Sequence, residues 1–200
     1  MNLPNKLSLL RVFLVPLFMV FYLCNFGLGI WQYVIAAVVY MAAGFTDFLD
    51  GNIARKYGLV TNLGKFLDPL ADKFMVMTSL LCLCYVSAIN AVNANDKVYG
   101  TLLVVASAIV IFRELAVTSM RLVAASTDGS VIAAAYLGKL KTVFQMVFTT
   151  FAIVEPAFYG LGVSFINDHV LSYTLMAIMT IMTLWSGIDY MRGYWKYIKE

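Results

Sequence analysis

The sequence predicts an all-α, polytopic membrane protein with six transmembrane helices, and three observations carry that prediction. Apolar residues make up 62% of the 200 and charged residues 12%, whereas a soluble domain is about half apolar and about a quarter charged. The apolar residues fall into six runs, each approaching or exceeding the ~20 residues that cross a bilayer, with no low-complexity stretch between them. Finally, thirteen of the fourteen Lys and Arg residues fall on one side of the resulting topology.

The runs are 8–26, 30–56, 63–90, 98–125, 133–158 and 170–193. The first follows Lys6 and Arg11 and is not followed by a small-x-small cleavage pattern, so it reads as a retained membrane helix. Asn25-Phe26-Gly27 separates it from the second run. Asn90 to Asp96 follows the third, Ser126-Thr127-Asp128-Gly129 the fourth and Pro156 to Asp168 the fifth, each with turn chemistry. Residues 1–200 read as a single membrane domain.

An even number of spans puts both termini on one side. Lys6, Arg11, Arg55, Lys56, Lys65, Lys73, Arg113, Arg121, Lys139, Lys141, Arg192, Lys196 and Lys199 share that side, and Lys97 alone lies opposite. Basic residues accumulate in cytoplasmic loops, so both termini are expected in the cytoplasm. The net charge of +3 decides little by itself, and no nucleic-acid partner is expected. Cys24, Cys82 and Cys84 lack the spacing of a disulfide framework or zinc site and read as small apolar fillers. His169 reads as solvated in the outer loop, and Asp189 as paired with Arg192 or solvated.

Acids inside apolar segments are costly and point to function, and Asp47, Asp50, Asp68 and Asp72 form a dense group of them. If Trp31 opens the second helix at the outer face, Asp47 lies ~24 Å further on, toward the cytoplasmic edge of the bilayer. Asp47 and Asp50 are three apart and Asp68 and Asp72 four apart, so each pair projects from one helix face. Gly51 and Ala54 continue the face of Asp47, leaving room for a bulky ligand beside the carboxylates. Gly64, Lys65, Asp68 and Asp72 line the next helix in the same way. Structural readings exist for each part: Asp68-Pro69 fits an N-cap with proline at the first helical position, and Asp47 and Asp50 could pair with Arg55, Lys56 or Lys73. Four clustered carboxylates at a membrane edge nevertheless call for a cation. All-oxygen ligands suit a hard divalent ion, and their number favours two ions that clamp a phosphoryl displacement.

Asp47-Phe48-Leu49-Asp50-Gly51-Asn52-Ile53-Ala54-Arg55, then eight residues, Gly64, three residues, Asp68, three residues and Asp72, reproduces D-x2-D-G-x2-A-R-x8-G-x3-D-x3-D. This resembles the signature of the CDP-alcohol phosphatidyltransferases. The resemblance implies a six-helix fold, a homodimer, and a metal site of Asp47, Asp50, Asp68 and Asp72 holding magnesium, with manganese the alternative. It implies that Asp72 is also the general base, and that Gly51, Arg55 and a position near Thr61 contact the CDP part of the donor. Ala54 and Gly64, on the same small-residue faces, complete the expected donor-binding set.

The opening Asn2 to Arg11, Arg113-Glu114 followed by Arg121, and Gly138 to Thr142 resemble the branch that transfers the phosphatidyl group of CDP-diacylglycerol to glycerol 3-phosphate. Arg113 and Arg121 are eight apart on roughly one helix face, and Lys139 and Lys141 open the next helix on the same side. These four are the expected binders of the acceptor phosphate, with Glu114 orienting an arginine; the plainer reading is snorkelling or binding of anionic headgroups. Rival functions are another member of the family, making cardiolipin, phosphatidylinositol phosphate or phosphatidylserine, and a cation transporter. Transporters favour short, Gly/Pro-broken helix pairs, which are absent from the sequence.

Overall fold

The structure, a computed structural model, describes residues 2–57, 61–127, 136–161 and 169–198. Of residues 3–4, 48–57, 62, 65, 125–127, 136, 160 and 195–198 it describes the backbone alone. The described residues form α1 (Leu3–Leu23), α2 (Ile30–Tyr57), α3 (Asn62–Ile89), α4 (Ala94–Thr127), α5 (Tyr136–Gly160) and α6 (Val170–Ile198), and no strand. All six contain a stretch long and apolar enough to cross a membrane.

The expected helices are all present, but most run beyond the expected ends. The first begins at Leu3 rather than at residue 8, because Pro4 sits in its first turn, where its fixed φ suits a helix and its missing N–H costs nothing. The fourth begins at Ala94 and continues into the expected break as far as Thr127; Asp128 and Gly129 lie outside the described residues. The fifth passes through Pro156 to Gly160; the rest of that break, 162–168, lies outside the described residues. Pro16 and Pro69 are likewise inside helices, as transmembrane helices allow. Asp68 is therefore not an N-cap: Thr61 caps α3, its hydroxyl accepting from the Gly64 N–H at 3.0 Å. The α1–α2 connection fits its sequence signal. Gly27 and Gly29 take φ of +70° and +56°, and the Asn25 side chain accepts from the Gly27 N–H at 2.9 Å.

The chain divides into two compact units. In the first, residues 1–91 with 149–168, α1 packs against both α2 and α3, which scarcely touch each other. Leu10, Phe13, Leu17 and Val20 face outward from α1. Its opposite stripe is buried and changes character along its length: Asn5, Ser8 and Arg11, then Val15, Phe18 and Tyr22. With lipid as solvent, an apolar outer face and a polar inner one satisfy both surroundings.

The second unit comprises residues 92–148 and 169–200, with α4 packed along α6. Val117, Ala124, Tyr190 and Tyr194 form a buried cluster with Met120 against it. Gly187 lets the stem of Arg113 lie close, since a Cβ there would come within 3.2 Å of its Cγ. His169 is not solvated as expected. Its ring stacks on Tyr99 at 4.3 Å, and its Nε2 lies 3.4 Å from Asp96 Oδ1, holding the N-terminal ends of α4 and α6 together. Asp189 is exposed, and none of the three cysteines is in a disulfide.

Candidate active site

The aspartate motif lies where the long helices leave the apolar layer. Asp47 is the last residue of the apolar span of α2, and Asp68 and Asp72 fall in the first two turns of that of α3. Helical spacing puts Gly64, Asp68 and Asp72 on one face, and the polar stripe of α1 lies along it. Thr61 Oγ1 donates to Asn5 Oδ1 at 2.9 Å, and Ser8 Oγ donates to Asp68 Oδ1 at 2.5 Å. Arg11 Nη1 donates to Asp72 Oδ1. Gly64 has no side chain because α1 is so close: a Cβ there would be 2.9 Å from Asn5 Oδ1 and 3.2 Å from Thr61 Oγ1.

Asp47 joins the group from α2. Its Oδ1 lies 3.1 Å from Arg11 Nη1, so carboxylates of two helices meet at one guanidinium nitrogen of a third. Arg11 Nε points to Thr46 Oγ1 at 3.5 Å, and that hydroxyl donates to the Ala43 carbonyl at 2.6 Å. The arginine side chain is wholly buried, while those of Asp47 and Asp72 stay 46% and 49% exposed. The partner of Asp47 is thus Arg11 and not Lys73, whose Nζ donates to the Pro69 carbonyl at 3.3 Å. A lysine extended along its own helix reaches the carbonyl four residues back, whereas Arg11 projects from a neighbouring helix straight at the acids.

The convergence bears on whether these residues fit a divalent ion. Two carboxylate oxygens already aim at a single positive atom, and every candidate donor is a hard oxygen. No three His, Cys, Asp or Glu side chains among the described residues are grouped closely enough to hold an ion as they stand. Asp68 turns to Ser8. Asp50, Gly51, Ala54 and Arg55 lie on the helical backbone of α2, with side chains outside the described residues.

A second polar group lies within the α4–α6 unit. Arg113 donates through Nη1 to Glu114 Oε1 at 3.0 Å and through Nη2 to Ser186 Oγ at 2.6 Å. Its guanidinium stands over the Tyr190 ring at 5.5 Å. Arg121, two turns on, lies 5.1 Å from the same ring and donates to the Tyr190 hydroxyl at 2.6 Å. Glu114 Oε1 also accepts from Lys141, so the carboxylate orients Arg113 as the sequence suggested and ties it to α5. Lys141 is buried in that bond while Lys139 is exposed. Two residues apart, they leave the helix on different sides. Two cations, Arg113 and Lys141, therefore share one carboxylate, and Tyr190 joins Arg113 to Arg121. The Nε–H groups of both arginines are buried without an acceptor among the described residues.

Sequence reasoning missed the part of four residues in these groups. Tyr190, which joins the arginines, was hidden among many aromatic residues. Asn5, Ser8 and Arg11 were hidden by the late start assigned to the first helix.

Comparison with known proteins finds relatives along the whole chain. The family model described as CDP-alcohol phosphatidyltransferase matches residues 1–185. The chain is 35% identical over 207 residues to the CDP-diacylglycerol–glycerol-3-phosphate 3-phosphatidyltransferase of Bacillus subtilis, covering 99% of this chain and 97% of that one. Enzymes of the same name from Yersinia enterocolitica and Pseudomonas fluorescens are 30% and 31% identical. Those matches cover the whole of this chain and 98% and 93% of the relatives.

Proposed function

Since the chain belongs to the CDP-alcohol phosphatidyltransferase family, we infer that it transfers the phosphatidyl group of CDP-diacylglycerol to glycerol 3-phosphate. The products are phosphatidylglycerophosphate and CMP, and the reaction is a step of phospholipid synthesis. Relatives named for this transfer and aligned over their full length support the reading. The observation that carries the choice of acceptor is the surplus of positive charge around Glu114, which suits an anionic alcohol.

The acyl chains of the donor lie in the bilayer, in keeping with a site at the edge of the apolar layer. Asp72 takes the proton of the acceptor's primary hydroxyl. The hydroxyl oxygen forms a bond to the lipid-bearing phosphorus, the bond from that phosphorus to the CMP oxygen breaks, and CMP leaves with the electron pair. Arg55, with Gly51, Ala54, Thr61 and Gly64, is assigned to the CDP half, where a planar guanidinium matches phosphate oxygens. Arg113 and Arg121 hold the acceptor phosphate, their Nε–H groups supplying donors beyond their protein bonds. Exposed Lys139 adds charge nearby, and Lys141 acts through Glu114. Asp47, Asp50, Asp68 and Asp72 would hold magnesium or manganese, two ions in all, supplying neutralisation of the diphosphate and of the departing CMP. Positioning and electrostatics provide most of the acceleration. The protein is assigned to the cell membrane as a homodimer, with termini and site on the cytoplasmic side.

The test is purified protein with CDP-diacylglycerol, magnesium and a panel of alcohols: glycerol 3-phosphate, inositol 1-phosphate, serine and phosphatidylglycerol. Release of CMP with glycerol 3-phosphate alone supports the reading. Preference for another alcohol reassigns the acceptor, and metal flux in liposomes without CMP release overturns the enzyme altogether.

A further inference from the structure

Arg11 bonds to acids of both motif helices, Asp47 on α2 and Asp72 on α3. It approaches from the protein interior and is itself wholly buried, whereas the carboxylates it touches keep about half of their surface open. Ser8, one turn earlier on the same stripe, does the same for Asp68. Because α2 and α3 scarcely touch among the described residues, their own contact does little to fix how far apart Asp47 and Asp72 stand; both register on α1 instead. A guanidinium is suited to this, since its planar fork is rigid, permanently charged and weakly hydrated. Two carboxylates brought together without a cation would repel, and Arg11 offsets that repulsion before any ligand arrives.

We propose that Arg11 is a positioning residue that sets the spacing and orientation of Asp47 and Asp72 for a divalent ion approaching from their open side, with Ser8 doing so for Asp68. This rests on the divalent-ion reading of the aspartates given above. Carboxylates that ligate a metal are commonly held in turn by hydrogen-bond donors, and loss of such a donor typically costs about 10–100-fold in metal affinity. Arg11 is such a donor for two ligands at once. An arginine that merely stabilised the fold would lower stability on removal and leave ion affinity unchanged. An arginine that stood in the ion's own place would compete with it, and its removal would tighten binding.

The experiment measures Mn2+ binding by electron paramagnetic resonance on the purified full-length chain in lipid nanodiscs, without substrates, so that turnover is not the readout. Wild type, Arg11→Gln, Arg11→Lys and Ser8→Ala are compared, with helicity and thermal unfolding recorded for each. We expect Arg11→Gln to weaken Mn2+ by about 10–100-fold, Arg11→Lys to weaken it less, and Ser8→Ala to weaken it least. Unchanged or tighter Mn2+ binding in folded Arg11→Gln overturns the positioning role. If Arg11→Gln does not fold, Arg11→Lys decides: a shorter, unforked side chain cannot hold both acids alike, and wild-type affinity in it overturns the proposal. Absence of Mn2+ binding in the wild type overturns the underlying ion reading, a result distinct from those of the variants.

Discussion

Asp72 is assigned two tasks, taking a proton and ligating an ion, and Asn at that position tests the first. General-base catalysis contributes about 10²–10⁴-fold, so we expect Asp72→Asn to lower turnover by at least that factor, measured as CMP release at saturating substrates. Arg113 and Arg121 separate the substrates. Charge-assisted hydrogen bonds contribute about 1.5–3 kcal/mol, so Gln at either position should raise the apparent glycerol 3-phosphate constant by roughly ten- to a hundredfold. The donor constant should stay where it is. If instead these arginines only hold anionic lipid, both constants will shift alike. The aspartates were legible because fixed helical spacing turns sequence distance into a shared face. Tyr190 was not, because an aromatic residue in a membrane helix carries no mark of which neighbour it will meet.

Between helices, the Glu114 link is the most sensitive. It holds Arg113 of its own helix and buried Lys141 of α5. Breaking a buried ion pair from one side costs about 3–5 kcal/mol, because a charge is left without its partner. Glu114→Gln should therefore unfold earlier in detergent, and Glu114→Gln with Lys141→Met should recover most of the loss. Equal unfolding temperatures for the two variants would show that the pair is not a structural link. The six helices could be read from the sequence because each is long and apolar, but their ends could not. Pro69 and Pro156 look like boundaries, yet each is accommodated within a helix, whereas Pro4 does open one. The late start given to α1 concealed the i, i+3, i+6 stripe of Asn5, Ser8 and Arg11. That spacing was the available signal.

For the whole molecule, the distribution of basic residues fixes the orientation to be tested. A green fluorescent protein fused after Glu200 should fluoresce in a bacterial host, and an alkaline phosphatase fused at the same place should be inactive, since it matures only outside the cytoplasm. The reverse pattern would invert the topology and place the aspartates on the wrong face for a nucleotide-linked donor. Six spans follow from hydropathy because the bilayer imposes their length and apolarity. The division into two compact units does not, because the residue at which α5 passes from one to the other, between Phe148 and Thr149, has no counterpart in composition.

The polar stripe of α1 has a consequence in time. Arg11 and Asp72 are 61 residues apart, and chains emerge from the ribosome at about 5–20 residues per second. The first helix therefore waits roughly 3–12 seconds before its acid on α3 has been made, and longer still before the whole of α3 can enter the bilayer. During that interval an arginine and its neighbouring polar groups must be kept near the headgroups, by snorkelling or by the insertion machinery. The newborn protein thus passes through a state in which Arg11 has at most one of its two acids, Asp47 of the second helix, and docking of the third completes the set. Slowing synthesis between the two, for example with rare codons across residues 24–60, would lengthen that exposure and give quality-control proteases more time to act on the unfinished chain.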